Sequence, residues 1–450
     1  MDRSFDVAVV GTGSAGTQAA LLARAGGRSV AIIDERPFGG TCALRGCDPK
    51  KVLVYAASVV DDTQRLAGRG IIEAPAKLDW TALMRFKRTF TDPVPAQRAQ
   101  TYEKAGILAM RGRARFTDPQ TLWVGADRVR AQHIVIASGA QETHVAQGDD
   151  ALLTSEQFLE LEEMPESLLF AGGGYIAFEF AHLAARAGAR VTILHNDAHP
   201  LGGFDPDLVD RLVAESRAIG IDVALNAPVT RVERTASAVT AFVKHDDGER
   251  AYSAAGGVLA AGRKPRLDDL ALELAGVERT KKGVKVNEFL QSVSNPHVYA
   301  AGDAADAGAL PLTPVAGDTG EIAAHNVVHG NTRKGDFRGL ASMVYTIPPL
   351  GSVGLTEAQA HERGIAVDVH AGDMTDWYST RHVAGRSAFY KLLLEKNTGK
   401  LLGATIFGPH AEQQINVLAL AIRHALDARA ISGALFAYPT GASDLQYLVE

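Results

Sequence analysis

Cysteine is scarce in this chain of 450 residues, and its two cysteines, Cys42 and Cys47, stand close together. A disulfide framework of the kind that staples small secreted folds is therefore excluded. Long apolar runs are also missing, because the most apolar predicted helix, 417–426, is interrupted by Arg423. A membrane helix needs about eighteen apolar residues or more. We therefore predict no membrane partner.

Long basic runs are absent as well. The sequence has 46 Lys and Arg residues against 52 Asp and Glu residues, a formal net charge of −6. This charge pattern offers no basic footprint for nucleic acid, so we expect no nucleic-acid partner. The first residues lack the pattern of a secretory signal, and a strand is predicted to begin at Phe5. These features predict a cytoplasmic protein.

The chain does contain enough apolar material for several cores. Hydrophobic residues make up 46% and charged residues 22% of the sequence, which is typical of soluble globular proteins. A chain of this length exceeds one ordinary core, so we expect two or three domains.

A glycine-rich loop, GTGSAG at 11–16, lies between a predicted strand and an Ala/Leu-rich helix, and the next strand ends at Asp34. Gly11 and Gly13 allow a tight turn and a close backbone approach to a pyrophosphate, and Gly16 lets helix and strand pack closely. The helix N-terminus favours phosphate, and Asp34 can accept a hydrogen bond from a ribose hydroxyl. In this βαβ context the motif predicts a dinucleotide site.

A second copy of the pattern follows downstream. A strand predicted at 168–170 leads into GGGYIA at 172–177, a helix that carries Glu179, and a strand at 191–194. The separation of the two loops favours two cofactors on two domains over one long site. After residue 335 the glycine loops stop, and strands 389–394 and 404–408 alternate with helices 411–425 and 428–435. The predicted fold class is α/β, with two Rossmann-like dinucleotide-binding domains followed by an α+β domain.

The cysteine pair indicates redox chemistry. Five residues apart in a straight helix, the two Cα atoms would be roughly 8.6 Å apart, whereas a disulfide needs less than about 7 Å. Gly46 and Pro49 predict the irregular backbone that would allow the bond. Positive charge from Arg45 and Lys50 favours the thiolate form, although an ion pair of Arg45 with Asp48 is an equal alternative for the arginine.

Six co-linear motifs together resemble the pyridine nucleotide–disulfide oxidoreductases of the glutathione reductase, dihydrolipoamide dehydrogenase and mercuric reductase type, over essentially the whole chain. They are the two glycine loops, GGTCALRGCDPK at 39–50, AAGRKP at 260–265, AGD at 301–303 and TPVA at 313–316. The resemblance implies a homodimer that uses FAD and either NADPH or NADH and reduces a small molecule. It divides the chain into FAD-binding segments 1–145 and 265–334, an NAD(P)-binding domain 146–264 and a dimerisation domain 335–450.

The resemblance also implies residue roles. Cys47 would be the flavin-facing, charge-transfer thiol and Cys42 the interchange thiol. Lys50 would lie near the flavin and pair with Glu179, and Tyr175 would cover the isoalloxazine. The implied cofactor-binding residues are Gly11, Gly13, Ser14, Ala15, Gly16, Asp34, Glu35, Gly40, Thr41, Lys51, Ala114, Ser138, Gly139, Gly172, Gly174, Tyr175, Ile176, His195, Gly262, Arg263, Gly302, Asp303, Leu312, Thr313 and Ala316.

Plainer interpretations of these residues stay open. Lys50 and Glu179 could form only a buried ion pair, Tyr175 could be only a helix-start aromatic, and Asp303 could be only a helix N-cap. We predict no metal site.

The sequence departs from the family pattern at its C-terminus, where relatives carry His-Pro-Thr-x-x-Glu. Here Tyr438 replaces the His and Ser443 the Glu, with Asp444 one residue later. A phenol with an ordinary pKa of about 10 is a poor base at neutral pH, but it can donate a hydrogen bond to a carbonyl or oxyanion. We therefore name Tyr438 as a catalytic candidate and question efficient reduction of glutathione or lipoamide disulfides.

Two further features bear on specificity. The extra C-terminal cysteines of mercuric reductases are absent, and His195 and Asn196 follow the strand where NAD-using relatives have Glu and NADPH-using relatives Arg. The nucleotide preference therefore stays open at this stage.

The sequence is consistent with three hypotheses about the function. The first passes electrons from NAD(P)H through FAD and the Cys42–Cys47 disulfide to an unidentified acceptor. In the second, FAD directly reduces a quinone, a metal ion or oxygen. The third is a redox sensor without turnover, against which the two nucleotide sites argue.

Overall fold

The computed structural model describes residues 1–71, 76–245 and 248–449. In chain order its strands are β1 (Asp2–Val10), β2 (Val30–Asp34), β3 (Leu108–Arg111), β4 (Ala114–Asp118), β5 (Thr121–Val124), β6 (Asp127–Ile136), β7 (Ala140–Glu142), β8 (Ser167–Ala171), β9 (Arg190–Leu194), β10 (Ile221–Ala224), β11 (Val229–Arg234), β12 (Val239–His245), β13 (Gly248–Ala254), β14 (Gly256–Leu259), β15 (Arg263–Pro265), β16 (Arg279–Thr280), β17 (Gly283–Lys285), β18 (Val298–Ala300), β19 (Ala305–Asp306), β20 (Ala341–Val344), β21 (Leu350–Gly354), β22 (Val367–Asp373), β23 (Phe389–Glu395) and β24 (Leu401–Phe407).

The α-helices are α1 (Ser14–Ala25), α2 (Gly40–Arg45), α3 (Cys47–Arg65), α4 (Trp80–Thr91), α5 (Val94–Lys104), α6 (Ser155–Phe158), α7 (Tyr175–Arg186), α8 (Pro206–Ala218), α9 (Thr313–His329), α10 (Glu357–Glu362), α11 (Tyr378–Arg381), α12 (Ala411–Arg423) and α13 (Ala428–Ser432). The chain divides into two compact units. Unit 1 comprises 1–51, 85–143 and 263–337, and unit 2 comprises 52–84, 144–262 and 338–450.

The main sheet of unit 1 has the order β3-β2-β1-β6-β5-β4, with β18 beside β6. Strands β1, β2, β3, β6 and β18 run parallel to their partners in this sheet. Parallel strands end at a common edge, so the first glycine loop, the end of β2 and the end of β18 meet there. This edge carries the candidate site of unit 1.

The N-terminal strand starts earlier than predicted. It begins at Asp2 and not at Phe5, because 2–4 pair with 128–130 of β6. Neighbouring backbone, which is distant in sequence, therefore decides where the strand starts.

Unit 2 contains a parallel sheet with the order β10-β9-β8-β14, and an antiparallel sheet with the order β11-β12-β13. Helix α7 follows β8 through the second glycine loop, as predicted. A buried apolar cluster that includes Phe158, Phe170, Phe178 and Leu212 covers the parallel sheet.

The C-terminal part of unit 2 is α+β, with an antiparallel sheet of order β20-β21-β24-β23-β22. Strand β24 begins at Leu401, before the predicted start at 404, because Leu401 pairs with Leu394 of β23. Helix α13 stops at Ser432, ahead of the predicted 435, where Gly433 forms the C-cap. In the part of the chain that the structure describes, no helix is both long and apolar enough to cross a membrane.

Candidate functional site

Two glycines of the first glycine loop, Gly11 and Gly16, leave no room for a side chain. Gly11 has φ +109°, and a Cβ there would lie 2.1 Å from the Ala137 carbonyl oxygen. A Cβ on Gly16 would lie 1.9 Å from the Gly11 oxygen, and one on Gly40 would lie 2.3 Å from the Gly13 Cα. The structure thus brings three loop glycines and Gly40 together, with the backbone open to a phosphate at the start of α1.

Asp34 lies at the end of β2, as predicted, and its carboxylate is oriented by backbone and side-chain donors. Its Oδ2 accepts from the Thr12 backbone N–H at 2.9 Å and from the Thr12 hydroxyl at 2.6 Å, while Oδ1 accepts from the Arg36 N–H at 2.9 Å. Thr12 was not among the predicted site residues, because it occupies a variable position of the glycine motif. Its hydroxyl ties the loop to the acid that would bind ribose.

The cysteine pair lies where two helices meet. Helix α2 ends at Arg45, Gly46 adopts a non-helical conformation, and α3 begins at Cys47. The predicted break in the helix is therefore present. Both cysteines are free thiols in this structure.

Thr313, the first residue of α9, contacts both thiols. Its hydroxyl donates to Cys42 Sγ at 3.3 Å and lies 3.6 Å from Cys47 Sγ. Thr313 was predicted to line the flavin, and its contact with the thiols was not predicted, because about 270 residues separate it from the cysteines in the chain.

The two thiols have opposite electrostatic surroundings. The pKa of Cys47 is lowered to about 6, first by a hydrogen bond from the Cys42 thiol and then by the Thr313 hydroxyl and the charges of Lys50 and Lys51. Cys47 is also the first residue of α3, where a helix N-terminus favours a thiolate.

The pKa of Cys42 is raised. The main cause is that its proton is held in the hydrogen bond to Cys47, and burial and the negative charges of Cys47 and Asp48 act in the same direction. Asp48 Oδ1 lies 3.8 Å from Cys42 Sγ. At neutral pH the pair therefore consists of a Cys47 thiolate and a Cys42 thiol.

The end of β18 brings a further acid to the same edge. Asp303 lies in a short 3-10 helix, Gly302–Ala304, whose N-cap is Ala301, so Asp303 is not an N-cap. Burial raises the pKa of Asp303, while the charge of Arg263 opposes that rise. The Gly302 N–H donates to the Thr319 hydroxyl at 2.9 Å, which fixes the turn against α9.

The other predicted positions of unit 1 are distributed around this edge. The Glu35 carboxylate pairs with Arg113 at 2.9 Å and with Arg266, and the Ser138 hydroxyl donates to the Arg266 carbonyl at 2.7 Å. Ala114 is buried at the start of β4. Ser14 and Ala15 open α1, Thr41 lies in α2, Lys51 in α3, Gly139 follows β6, and Leu312 and Ala316 lie at the start of α9.

The second glycine loop, in unit 2, repeats the geometry of the first. Gly172 has φ +120°, and a Cβ there would lie 2.3 Å from the Ala260 oxygen. Gly174 is the N-cap of α7, which begins with Tyr175 and Ile176. The His195 ring packs against Gly173, and a Cβ on that glycine would lie 2.6 Å from the ring. Gly262, with φ +105°, is the last residue of the 144–262 segment of unit 2.

The predicted ion-pair partners are both buried, each in its own unit. Lys50 is 8% exposed and Glu179 is 1% exposed. The Glu179 Oε1 accepts from the Tyr345 backbone N–H at 2.8 Å. Tyr175, by contrast, is 45% exposed at the start of α7.

Arg263 forms part of a two-stranded ribbon in unit 1, in which β15 pairs with β7. Its guanidinium donates to the Ala140 carbonyl at 2.6 Å and pairs with Glu142 at 3.2 Å.

Tyr438 is 76% exposed and belongs to a row of rings in unit 2. The Tyr438 ring lies 6.5 Å from that of Tyr378, which stacks on His382 at 5.2 Å, and His382 stacks on His410 at 6.0 Å. The contacts among these four rings were not predicted from the sequence, because the residues come from separate parts of the chain.

Asp444 lies beside the row of rings. Its carboxylate accepts a hydrogen bond from the Ser379 hydroxyl. Burial raises the pKa of Asp444, and the neighbouring His410 and His382 oppose the rise.

The residues of both units fit dinucleotides. Each unit places a glycine loop between a buried strand and a helix N-terminus, and the first glycine of each loop, Gly11 or Gly172, leaves no room for a Cβ. Among the described residues, no group of three or more His, Cys, Asp or Glu side chains could hold a metal ion.

Comparison with known families decides the identity. Residues 5–320 match the model described as "Pyridine nucleotide-disulphide oxidoreductase", and residues 340–448 match its dimerisation domain. The chain belongs to this family. The resemblance and the α/β fold class predicted from the sequence are thus confirmed, and the match to the dimerisation domain supports the predicted homodimer.

Full-length relatives agree with this assignment. The chain is 32% identical to a glutathione reductase of Burkholderia cepacia, covering 98% of this chain and 97% of the relative. It is 32% identical to a dihydrolipoyl dehydrogenase of Bacillus subtilis, covering 96% and 95%. It is also 32% identical to a mercuric reductase of Streptomyces lividans, covering 99% and 96%.

A solved structure is also similar throughout. It is the Cu(II) complex of a HOCl-induced flavoprotein disulfide reductase from Escherichia coli, with a TM-score of 0.88, 25% identity and 99% coverage of both chains. This oxidoreductase therefore uses FAD and NAD(P)H, as predicted, and it is an NAD(P)H-dependent flavoprotein of the disulfide reductase type.

Proposed function

We propose that this protein passes electrons from NAD(P)H through FAD to the Cys42–Cys47 disulfide, and that the resulting dithiol reduces a small oxidant other than a disulfide. Bound FAD would supply hydride acceptance from the nicotinamide and electron transfer to the cysteine pair. The observation that carries the proposal is the residue at the position where the resemblance puts the family's proton-shuttling His, because this chain has the phenol of Tyr438 there. The surroundings of the thiols agree with it, since the pKa of Cys47 is lowered and that of Cys42 is raised.

This asymmetry supports the predicted division of roles. A Cys47 thiolate suits the flavin-facing position, because an anionic sulfur donates charge to an electron-poor ring. Cys42 would have to attack a substrate disulfide as a thiolate. Its raised pKa and the Asp48 carboxylate 3.8 Å away oppose that form. Disulfide exchange would need a strong base next to Cys42.

The residue at the position of the family's base does not meet that need. By the resemblance, Tyr438 stands where the relatives carry the proton-shuttling His. A phenol holds its proton at neutral pH and acts as a donor. The Tyr438 residue is 76% exposed in the single chain. We therefore assign Tyr438 the donation of a proton to the acceptor.

The protons balance for a quinone-like acceptor. Oxidation of the Cys42 thiol and the Cys47 thiolate forms one S–S bond and releases two electrons and one proton. The acceptor takes both electrons and that proton, and Tyr438 gives the second proton and regains it from water. The products are a disulfide and a hydroquinone, after which NAD(P)H restores the dithiol.

A metal ion is a second candidate acceptor, favoured by two of the similar proteins. The similar flavoprotein disulfide reductase was solved as a Cu(II) complex, and a mercuric reductase is among the relatives. Two Cu(II) ions would take the two electrons and become Cu(I), while the Cys42 proton would pass to water. This reaction would need no proton from Tyr438.

One experiment separates these acceptors. Steady-state NAD(P)H oxidation is measured with glutathione disulfide, lipoamide, a benzoquinone, Cu(II) and oxygen, in the wild type and in the Cys42→Ser and Cys47→Ser variants. We expect quinone or Cu(II) to be turned over faster than either disulfide, and both variants to lose most of that turnover. Glutathione disulfide or lipoamide as the best acceptor would contradict the proposal, and full quinone turnover in both variants would remove the dithiol from the path.

Tyr438→Phe tests the proton donor. Losing one such donor costs about 2.7–4 kcal/mol of transition-state stabilisation in other enzymes, so quinone turnover should fall about a hundredfold or more. Flavin reduction by NAD(P)H and Cu(II) turnover should stay unchanged. Tyr447→Phe is the matched control, since Tyr447 is a 50% exposed tyrosine of the same unit. Equal quinone turnover in Tyr438→Phe and Tyr447→Phe would leave Tyr438 with a packing role.

A further inference from the structure

The loop after β9 closes over the second glycine loop. The backbone N–H of Leu201 donates to the Gly173 carbonyl at 3.0 Å, and the N–H of Asn226 donates to the Asp197 carbonyl at 3.1 Å. The residues just after β9 are therefore fixed beside the glycine loop. In a Rossmann-type fold, the side chains at this strand end contact the 2′ position of the adenosine ribose.

The histidine of this loop faces inward. His195 packs its ring on Gly173, and its Nε2 lies 3.1 Å from the His199 carbonyl oxygen. A carbonyl only accepts hydrogen bonds, so Nε2 is the donor. The His195 Nδ1 is buried, with no hydrogen-bond partner among the described residues. The imidazole thus supports the glycine loop, and neither of its nitrogens presents a donor to an incoming phosphate.

The outward charge of the loop is negative. Residues 195–205 contain Asp197 and Asp205 but no Lys or Arg. Asp205 is buried and pairs with Lys391 at 3.0 Å. Asp197 is exposed, and its Oδ2 accepts from the Asn196 side-chain amide at 2.8 Å. One N–H of the amide therefore serves Asp197, and Asp197 is the exposed carboxylate among residues 195–205.

The remaining titratable side chain of the loop does not reverse this charge. His199 is 62% exposed, and its Nδ1 lies 3.8 Å from the Asp210 carboxylate. Any positive charge on His199 is thus paired with a carboxylate.

We infer that the nucleotide site of unit 2 selects NADH over NADPH, with Asp197 as the residue that decides. The inference rests on the proposed function, in that this site feeds electrons to the flavin. A carboxylate accepts a hydrogen bond from the 2′-hydroxyl of NADH, whereas it repels the 2′-phosphate of NADPH, which carries nearly two negative charges.

The test compares the two nucleotides directly. Flavin reduction is followed by stopped-flow absorbance with NADH and with NADPH, and kcat/KM is measured for both with one common acceptor. The Kd values of NAD⁺ and NADP⁺ for the oxidised protein are measured by calorimetric titration, and NAD⁺ should bind more tightly. We expect kcat/KM to be about tenfold or more higher for NADH, the size expected for one carboxylate beside a phosphate in water-exposed surroundings. Asp197→Asn should lower the ratio of kcat/KM for NADH to kcat/KM for NADPH. Asp197→Arg should bring that ratio below one by raising kcat/KM for NADPH.

Asp222→Arg is the matched control, because it makes the same change of charge at an exposed position of β10 in the same unit. It should leave the nucleotide ratio unchanged. Equal or better use of NADPH by the wild type would overturn the inference while leaving the proposed function in place, and so would an equal response of the ratio to Asp197→Arg and Asp222→Arg. Flavin reduction by neither nucleotide would overturn both.

Discussion

Removing the Thr313 hydroxyl should shift the titration of the cysteine pair. This hydroxyl lies 3.3 Å from Cys42 Sγ and 3.6 Å from Cys47 Sγ, and it contributes to lowering the pKa of Cys47 to about 6. The Thr313→Val variant keeps the branched shape at the first turn of α9 and loses only the donor. The thiolate of Cys47 should then be less stable, and its pKa should rise.

The size of the effect follows from the geometry. A hydrogen bond to a charged group contributes about 1.5–3 kcal/mol. The contact with Cys47 is long and the hydroxyl is shared with Cys42, so we take the lower end of that range. Because about 1.4 kcal/mol corresponds to one pH unit, the pKa of Cys47 should rise by about one pH unit. Lys50, Lys51 and the Cys42 thiol still act in the variant, which is why the pKa should stay below its ordinary value.

The assay is the rate of alkylation of the reduced protein by iodoacetamide as a function of pH, with the Cys47 peptide identified by mass spectrometry. The midpoint reports the pKa, because the thiolate is the reactive form. Thr313→Ser keeps a hydroxyl and should titrate like the wild type. Cys42→Ala removes the hydrogen bond that lowers the pKa of Cys47 most, so it should shift the midpoint further than Thr313→Val. An unchanged midpoint in Thr313→Val, or an equally large shift in Thr313→Ser, would refute the reasoning.

Two further predictions concern cofactor binding and stability. Gly16→Ala should lose most of its FAD, measured as flavin absorbance per chain after purification, because the added Cβ would lie 1.9 Å from the Gly11 oxygen; Gly203→Ala, which meets nothing within 4 Å, should keep it. Resistance to urea should fall as the pH drops below about 6.5, the ordinary pKa of the imidazole, because burial lowers the pKa of His182 well below that value in the folded state. Its neutral ring lies 2.9 Å from the Ser216 hydroxyl and accepts a hydrogen bond from the Ile347 N–H at 3.2 Å. The resistance of His182→Gln to urea should therefore depend less on pH. An equally steep loss of urea resistance in the variant would count against the explanation.

Local features of the chain were predictable from sequence. The glycine loops and the flanking strands and helices are contiguous, so a short window contains everything that forms a βαβ unit. The break between α2 and α3 follows likewise from Gly46 and Pro49. Each of these features depends on residues within one or two turns of one another.

Contacts between distant segments could not be predicted in this way. The Thr313 hydroxyl reaches the thiols only after β18 and α9 are placed beside β6 and α1. The row from Tyr438 to His410 needs α11, the start of α12 and the C-terminal segment to converge. The early starts of β1 and β24 likewise depend on partner strands. Sequence patterns give the residue types, and the tertiary fold decides which of them meet.

The surroundings of Cys42 and the replacement at Tyr438 both concern where protons and negative charge are held. Asp48 and the Cys47 thiolate keep the proton on Cys42, and Tyr438 offers a proton where relatives place a base. An enzyme that exchanges disulfides needs the reverse arrangement, with a base ready to take a proton from the attacking thiol. A thiol that keeps its proton and a phenol that offers one suit an acceptor that gains protons together with electrons, as a quinone does. The differing response of quinone and Cu(II) turnover to Tyr438→Phe therefore tests whether Tyr438 donates a proton, as well as which substrate is reduced.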